Sequence, residues 1–454
     1  MKKGSIHEVQ INEIKFPNIG IGESADRKIA IKGGLPGQKL KVQIFRKGKV
    51  PKAQILEVLE PSIHEIMPEC PVSGLCGGCS FQNIPYEYEL ELKTSMVKRV
   101  LTMFNLEHVF LPTIAAISDR GYRNKMEYSF GDDGRVDGEL TLGMRKRGSF
   151  YEAVNAECCL LAHVDFGRIL AFTLDYFTAS GETFHHRRKR TGTLRHLVIR
   201  RGINMGEILV NLVTAGDNDY SDYAAKLCKI ALDGEIKGII NTVNNSLADA
   251  VVAEDVKILH GTDLYYEDML SLGLRFKVSA FSFFQTNTAM AEVLYKIIAD
   301  FAGDVTGKTI FDLYCGTGTI GIYLSKFATQ VIGIEIVEEA VLAAKENAAL
   351  NGATNCDFIS GDVRKMVKEL AGTPDVIILD PPREGINPRA MPDILAFGAP
   401  RIVYVSCKAT SMVEDLASFI AAGYMVEKIQ IIDMFPRTAN VEVVCSLSKV
   451  TNTP

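Results

Sequence analysis

The apolar positions in the C-terminal part of the chain follow the pattern of strands that alternate with helices. Short apolar runs marked by Leu313, Ile334, Ile378 and Val403 are separated by stretches with helical periodicity. Strands that alternate with helices form βαβ units and a doubly wound parallel sheet. The pattern therefore predicts an α/β, Rossmann-like domain over residues 275–454.

Shorter alternating segments, with glycines between them, predict a small β-barrel at the start of the chain. Apolar and polar residues alternate over residues 8–14 and 39–45. Small five-stranded barrels of the OB type often hold nucleic acids. We assign residues 1–62 to an OB-like barrel and residues 63–274 to a β-rich central domain of mixed α+β pattern.

The charge of the chain changes along its length. Residues 1–60 carry 12 Lys and Arg against 6 Asp and Glu, whereas residues 275–454 carry 16 against 20. A basic N-terminal module beside an acidic α/β module suits a protein whose first domain holds a polyanion, and ordinary surface charge is the alternative. No apolar run approaches the ~18 residues of a membrane span, and no secretory signal is visible. A cytoplasmic monomer is the default expectation.

A glycine-rich stretch, IFDLYCGTGTIG at residues 310–321, is the strongest candidate for ligand binding. Gly316, Gly318 and Gly321 have the G-x-G-x-x-G spacing between a predicted strand and a predicted helix. The next strand ends in Glu335, 19 residues beyond Gly316, where an acid that binds a ribose is expected. The pattern predicts a site for a nucleotide-like ligand, and a tight turn that serves only packing is the alternative.

Polar residues follow the predicted strands at their carboxyl ends, where ligands of open α/β sheets bind. Tyr314, Glu335, Asp362 and Asp380 occupy four of these ends. Gln285 lies just before a predicted helix that begins at Thr288 and offers a further polar contact. These residues are therefore expected to converge on one edge of the sheet.

Two further residues have the chemistry of a reaction centre. Cys407 follows the strand YVS, where a partly exposed thiol could act as a nucleophile, although an ordinary semi-buried cysteine is the alternative. Glu442 lies within a final apolar, strand-like run, and a carboxylate in such a run is unusual unless it is paired or catalytic. From position alone an ordinary cysteine is the preferred reading of Cys407, which makes it a candidate nucleophile only, and Glu442 would have to lie near the reacting carbon to act as a general base.

Three of the ten cysteines form a candidate metal loop. Cys70, Cys76 and Cys79 lie within ten residues, with two glycines before the last. Zinc and an iron–sulfur cluster both need a fourth ligand. Cys158 and Cys159 are the candidates, and His163 would complete a zinc site with three cysteines. The spacing alone leaves the two metals open.

The whole chain resembles the S-adenosylmethionine-dependent RNA 5-methyluridine methyltransferases, and within them the iron–sulfur branch that acts on 23S rRNA. Six blocks resemble family blocks in the family's order: TLRHLVIRRG, SFFQTN, DLYCGTGTIG, LDPPREG, YVSCKATS and DMFPRTANVEVV. The N-terminal segment resembles a TRAM domain. The cysteine loop is similar to the family's C-x5-C-G-G-C, which implies a 4Fe-4S cluster.

The resemblance assigns roles to individual residues. Cys158 would be the fourth cluster ligand, with Cys159 in place of the family's proline. S-adenosylmethionine would be bound by a set of five residues: Gln285, Tyr314, Glu335, Asp362 and Asp380. Cys407 would add to C6 of a uracil, and Glu442 would remove the C5 proton. Arg437 and Asn440 stand where the family usually has histidines, which puts base orientation or substrate choice in question.

The expected substrate is a uridine of 23S rRNA, and three alternatives remain open. The same reaction could modify a uridine in the T-loop of a tRNA. A related chemistry would make the chain an RNA cytosine-5 methyltransferase. A chain that kept the fold without activity would be an RNA-binding iron–sulfur protein.

Overall fold

The computed structural model describes residues 1–24, 27–134, 138–186, 188–246, 253–370 and 372–450. Within these ranges the strands form a closed five-stranded barrel, two seven-stranded sheets and a two-stranded sheet. The arrangement confirms the predicted α/β fold class, with a barrel at the start and a Rossmann-like sheet at the end. None of the helices in the described ranges is both long and apolar enough to cross a membrane.

The barrel closes in the order β1-β2-β3-β5-β4. Its strands are β1 (Ile6–Lys15), β2 (Ile19–Ser24), β3 (Arg27–Lys32), β4 (Lys39–Arg46) and β5 (Lys52–Glu60). The alternation seen in the sequence turns one side of each strand inward, so that Val9, Ile31 and Val42 are fully or almost fully buried. The apolar side chains fill the barrel, while the lysines of β4 remain on its outer surface.

The central part of the chain folds around a sheet in the order β12-β11-β10-β9-β6-β7-β8. Its elements are α1 (Tyr86–Leu101), β6 (Lys125–Asp132), β7 (Leu140–Arg145), β8 (Ala153–Asn155), α2 (Val164–Ser180), β9 (Leu194–Arg201), β10 (Glu207–Thr214), α3 (Ser221–Leu227), β11 (Glu235–Val243) and β12 (Asp255–Gly261). A hairpin of β13 (Leu264–Met269) and β14 (Leu274–Ser279) follows. Helices α2 and α3 cover one face of the sheet.

The last part of the chain folds as a sheet in the order β17-β16-β15-β18-β19-β21-β20. Its elements are α4 (Thr288–Ala302), β15 (Thr309–Leu313), α5 (Thr319–Leu324), β16 (Gln330–Glu335), α6 (Glu338–Leu350), β17 (Cys356–Ser360), α7 (Val363–Met366), β18 (Val376–Leu379), α8 (Met391–Ala396), β19 (Arg401–Ser406), α9 (Ala409–Ala421), β20 (Tyr424–Ile432) and β21 (Glu442–Lys449). The five strands from β15 through β19 pair in parallel with one another in the sheet. This pairing confirms the doubly wound pattern.

Strand β21 departs from the expected parallel sheet because it pairs antiparallel with both β19 and β20. A short connection joins β20 to β21, and a short connection can join only antiparallel neighbours. The reversal places the first residue of β21 at the edge of the sheet where the parallel strands end. Glu442 is that residue.

Buried charges hold the connection between β20 and β21 against α1. Lys93 of α1 lies 2.7 Å from Glu89 and 2.7 Å from Asp433, and all three side chains are fully buried. The backbone N–H of Arg437 donates to Glu89 at 2.7 Å. Each buried charge has a partner, which offsets part of its desolvation. The segment that leads into Glu442 is therefore fixed by the central part of the chain.

Candidate active site at the carboxyl edge of the sheet

The register of two antiparallel strands brings Cys407 and Glu442 together. Ser406, the last residue of β19, pairs with Val443 of β21, so the next residues outward on the two strands are Cys407 and Glu442. Cys407 is partly buried, whereas Glu442 is buried with 4% of its surface exposed. Their thiol and carboxyl groups interact electrostatically. The two predicted reactive groups therefore share one corner of the sheet edge.

Asp380 follows β18 and belongs to the same corner. Burial raises the pKa of its carboxyl to about 7. Burial, Glu442 and Asp380 together raise the pKa of the Cys407 thiol to about 11. Burial and Asp380 also raise the pKa of Glu442 well above its usual range. The site thus favours the protonated, neutral forms of its nucleophile and its acids.

Arg383 opposes this tendency. Its guanidinium donates a hydrogen bond to the Cys407 thiol and lowers the pKa of both Cys407 and Glu442. Arg383 is exposed and lies in the loop after Asp380. Sequence reasoning singled out Asp380 in the same DPPREG motif but not Arg383, because an arginine in an exposed loop has no distinguishing pattern of its own.

The glycine turn lies at the next strand ends. The backbone N–H of Gly316 donates to Glu335 at 3.1 Å, and Val337 N–H donates to the other carboxylate oxygen at 2.9 Å. Gly316 has a φ of +55°, and a Cβ atom built there would meet nothing within 4 Å. At Gly318, with a φ of +74°, a Cβ would lie 2.6 Å from Phe358. The first glycine faces open space, and the second allows close packing.

Asp312, in β15 just before this turn, is a further candidate for ligand binding. Its carboxylate is buried in β15, and burial, chiefly, raises its pKa to about 7. One oxygen accepts from Gly321 N–H at 3.0 Å, while the other has no hydrogen-bond partner among the described residues. A buried acceptor without a partner is costly, and a ligand that donates a hydrogen bond, such as an ammonium group, would satisfy it. The acid within the apolar run IFDL is the sequence signal for this residue.

The other predicted cofactor residues are placed at or beside this edge. Tyr314, at a φ of +68°, accepts a hydrogen bond from Asn387 N–H, and burial raises its pKa to about 12. Asp362 caps α7, and its hydrogen bond with Arg364 lowers its pKa. Gln285 is partly buried in the SFFQTN segment. Thr317 of the glycine turn donates to Phe283 O at 3.2 Å, which joins that segment to the turn.

The cysteine loop lies in the central part of the chain. Cys79 interacts electrostatically with Cys159, Cys76 and Cys70. Its pKa is raised to about 11, and burial is the main cause. Cys159 also interacts with Cys76. Cys158, by contrast, is exposed. The structure thus brings three of the four predicted metal ligands together and adds the neighbour of the fourth. His163 caps α2, where it accepts from Asp165 N–H at 3.2 Å.

Arg437 has a structural role in this structure. Its guanidinium binds Asp119 at 2.9 Å and donates to Ile84 O at 2.9 Å. Its backbone O accepts from Ser80 and Phe81 N–H at 2.8 and 3.2 Å. This arginine therefore links the segment after β20 to the residues that follow the cysteine loop.

Comparisons with known proteins find matches to both the sequence and the fold of this chain. A sequence model of the tRNA (uracil-5-)-methyltransferase family matches residues 251–450. The chain is 45% identical over 453 residues to an uncharacterised RNA methyltransferase of Clostridium tetani, with 99% of each chain covered. It is 43% identical to one of Caldanaerobacter subterraneus, with 99% of this chain and 100% of that protein covered.

One solved structure matches nearly the whole fold. The tRNA (uracil-54, C5)-methyltransferase of Pyrococcus abyssi, in complex with S-adenosyl-L-homocysteine, superposes with a TM-score of 0.77 at 25% identity. The match covers 97% of this chain and 100% of the archaeal one. Barrel, central sheet and Rossmann-like sheet are therefore shared as one arrangement.

Proposed function

Because the chain belongs to the S-adenosylmethionine-dependent RNA (uracil-5-)methyltransferase family, we propose that it methylates C5 of a specific uridine in 23S rRNA through a covalent adduct on Cys407. The observation that carries the proposed reaction is the register that sets Cys407 opposite Glu442. The choice of 23S rRNA rests on the cysteine loop, which resembles that of the branch acting on 23S rRNA. A nucleophile and a general base are both needed to activate a weakly nucleophilic ring carbon and then to restore the ring.

S-adenosylmethionine, when bound, supplies the methyl group. The open space at Gly316 and the unpaired oxygen of Asp312 fit a ligand that carries positive charge and a nucleoside. Glu335, held by two backbone N–H groups, would bind the ribose hydroxyls. Gln285, Tyr314 and Asp362 would complete the cofactor site, with Asp362 toward the adenine. Asp380 would line the site between cofactor and uracil.

Cys407 starts the reaction by adding its thiolate to C6 of the uracil. The C5=C6 electron pair moves to the ring carbonyl, which makes an enolate with a nucleophilic C5. After C5 has gained the methyl group, Glu442 removes the C5 proton. The electron pair of that C–H bond re-forms the C5=C6 double bond, and the Cys407 thiolate leaves. Arg383 favours the charged forms of both residues.

RNA would be held by the barrel and by the central part of the chain. A uridine in folded RNA must leave its stack to reach such a site, and loops meet this need at the lowest cost. A T-loop uridine of tRNA is the second candidate substrate. The archaeal structure that aligns with 97% of this chain is a tRNA (uracil-54, C5)-methyltransferase, which favours that alternative.

The cysteine loop would hold a 4Fe-4S cluster. Tyr128 is fully buried beside Cys159 and Cys76, and its hydroxyl has no hydrogen-bond partner in the described part of the chain. A cluster with its sulfur ligands would supply the acceptor, so the residues fit such a group. Methyl transfer needs no electron, and we assign the cluster a structural role. It would stiffen the loop that Ser80 and Phe81 connect to Arg437.

The substrate can be identified by mapping 5-methyluridine by mass spectrometry in 23S rRNA and tRNA from cells with and without this protein. We expect the mark to disappear at one or more defined 23S rRNA uridines. Loss confined to tRNA would overturn the rRNA proposal and keep the reaction. Unchanged uridine marks with a lost 5-methylcytidine would identify a cytosine enzyme, and no change in either would point to an RNA-binding protein.

Replacement of Arg383 should shift the pH dependence of adduct formation. Cys407 must lose its proton to add to the uracil ring, so the rate of adduct formation rises with pH, and Arg383 lowers the pKa of this thiol. Arg383→Gln should therefore move the rising limb to higher pH. A hydrogen bond to a charged group is worth about 1.5–3 kcal/mol, and the exposure of Arg383 favours the lower end of this range. We therefore expect the rate of adduct formation at pH 7 to fall roughly tenfold.

The measurement is the single-turnover rate of adduct formation on RNA that contains 5-fluorouridine, between pH 6 and pH 10. Arg383→Lys keeps the positive charge and should lie between the wild type and Arg383→Gln. A lower rate with an unshifted pH limb would show that Arg383 only positions the loop. An unchanged rate would contradict any role at Cys407.

A further inference from the structure

Two neighbouring cysteines follow β8, and their surroundings differ. Cys158 is exposed, as is Glu157 before it. Cys159 is partly buried and packs against the apolar core of the central sheet. Its backbone N–H donates to Ala156 O at 3.0 Å, so the chain turns between these residues. The turn directs one thiol to solvent and the other toward the protein.

The Cys159 thiol joins the three thiols of the cysteine loop. It interacts with Cys79 and Cys76, and these two also interact with Cys70. One strand holds both segments in place. Gly77 N–H donates to Arg145 O at the end of β7 at 3.1 Å, and β8, which leads to Cys159, pairs with β7. Electrostatic interactions therefore link these four thiols, and four is the number of thiolates that a 4Fe-4S cluster requires.

Hydrogen-bond donors surround these sulfur atoms. The backbone N–H groups of Leu161 and Ala162 donate to the Cys159 sulfur. Gly78 N–H lies 3.2 Å from Cys76 Sγ, and Gln82 Nε2 lies 3.5 Å from Cys79 Sγ. Donors to sulfur favour the thiolate form and tune the reduction potential of a cluster. Three of the four sulfur atoms therefore already have hydrogen-bond donors beside them that could serve the sulfur ligands of a cluster.

A buried hydroxyl completes the shell. Tyr128 on β6 is fully buried, and its hydroxyl interacts with Cys159 and Cys76 but makes no hydrogen bond to any described residue. Buried tyrosine hydroxyls usually find a partner, because a buried polar group without a hydrogen bond destabilises the folded protein. An acceptor among the sulfur atoms of a bound cluster would remove that cost.

We propose that Cys159, instead of the Cys158 that the family resemblance implies, is the fourth protein ligand of the cluster, and that the Tyr128 hydroxyl donates to the cluster's sulfur ligands. The thiols of Cys70, Cys76, Cys79 and Cys159 lose their protons as the metal binds, so each contributes a thiolate. The proposal rests on the proposed function only in the identity of the metal group.

The adjacent pair provides its own control. The full-length protein is purified without oxygen as the wild type, Cys159→Ser and Cys158→Ser, and iron, zinc and acid-labile sulfide are measured per chain together with visible absorption. We expect Cys158→Ser to keep the wild-type iron and sulfide and Cys159→Ser to lose most of both. The opposite result, equal loss in both variants, or full retention in both would overturn the assignment of Cys159.

Alkylation of the wild-type holoprotein avoids any folding defect of the variants. Under native conditions, iodoacetamide should modify Cys158 and leave Cys159 protected until a chelator removes the metal. Protection of Cys158 with modification of Cys159 would contradict the proposal. Zinc without sulfide in the wild type would refute the iron–sulfur cluster of the proposed function, and the same alkylation pattern would still decide between the two cysteines.

Tyr128→Phe removes only the hydroxyl and so tests the second half of the proposal. We expect the variant to keep its iron and to show a more negative reduction potential, because a lost donor no longer stabilises the added electron. The measurement is a redox titration followed by the visible spectrum or by electron paramagnetic resonance. An unchanged potential would mean that the hydroxyl does not donate to the cluster.

Discussion

Cys407→Ala should abolish methyl transfer, with a loss in kcat on the order of 10⁴- to 10⁶-fold, as for other covalent nucleophiles. The cause is chemical. C5 of uracil is too weak a nucleophile until addition at C6 makes the ring an enolate. The methyl side chain of the variant would offer nothing to add, whereas the cofactor site around Gly316 and Glu335 would be intact. Binding of S-adenosylmethionine should therefore persist, which separates this loss from unfolding.

The decisive measurement is covalent trapping on RNA that carries 5-fluorouridine at the target position. The wild type should form a denaturation-resistant adduct, because the fluorine at C5 cannot leave as a proton does. Cys407→Ala should form none, and Cys228→Ala, which removes an exposed thiol at the end of α3, should trap as the wild type does. An adduct in Cys407→Ala would assign the nucleophile elsewhere. Trapping on 5-fluorocytidine RNA instead would favour the cytosine enzyme.

The residues at the carboxyl edge of the sheet could be predicted from the sequence because the end of each strand has a local sequence pattern. An apolar run followed by a polar residue marks Tyr314, Glu335 and Asp380 one by one, and the parallel topology then gathers them. The helix that begins at Thr288 was equally predictable, since Asn287 caps it through Met290 N–H. Local pattern and overall fold agree at these positions.

The sequence could not predict which of these residues lie next to one another in the fold. The antiparallel direction of β21, and hence the approach of Glu442 to Cys407, depends on a hairpin that no residue pattern specifies. The interaction of Arg383 with Cys407 and Glu442 depends on the path of the loop after Asp380, which the sequence does not specify. The choice between Cys158 and Cys159 depends on a single turn, because adjacent residues of the same type differ only in the direction of their side chains.

The protonation states of the acidic residues in the site also could not be predicted from the sequence, because they depend on burial in the fold. The sequence shows Asp312, Asp380 and Glu442 as three acids at separate strand ends. The fold buries Asp312 and Glu442 and partly buries Asp380, and the pKa of each rises, to about 7 for the two aspartates. Their protonation therefore depends on what binds, and a positively charged cofactor would favour the ionised forms.

Glu442→Gln should stop the reaction after methyl transfer. The amide has the shape of the acid but cannot accept the C5 proton, so the methylated ring would stay attached to Cys407. We expect kcat to fall by about 10²- to 10⁴-fold, the usual contribution of a general base. Adduct formation should be spared, because Glu442 raises the pKa of the Cys407 thiol and its removal makes the thiolate easier to form.

Ordinary uridine RNA provides the test, since no fluorine is needed to block the last step. Glu442→Gln should accumulate a denaturation-resistant adduct that contains labelled methyl groups, and tritium at C5 should stay in the RNA. Asp380→Asn removes a carboxyl from the same corner without removing the base, and it should accumulate no methylated adduct. If Glu442→Gln instead forms no adduct even with 5-fluorouridine RNA, Glu442 acts before methyl transfer, because a general base for the C5 proton is not needed until C5 carries both the proton and the methyl group.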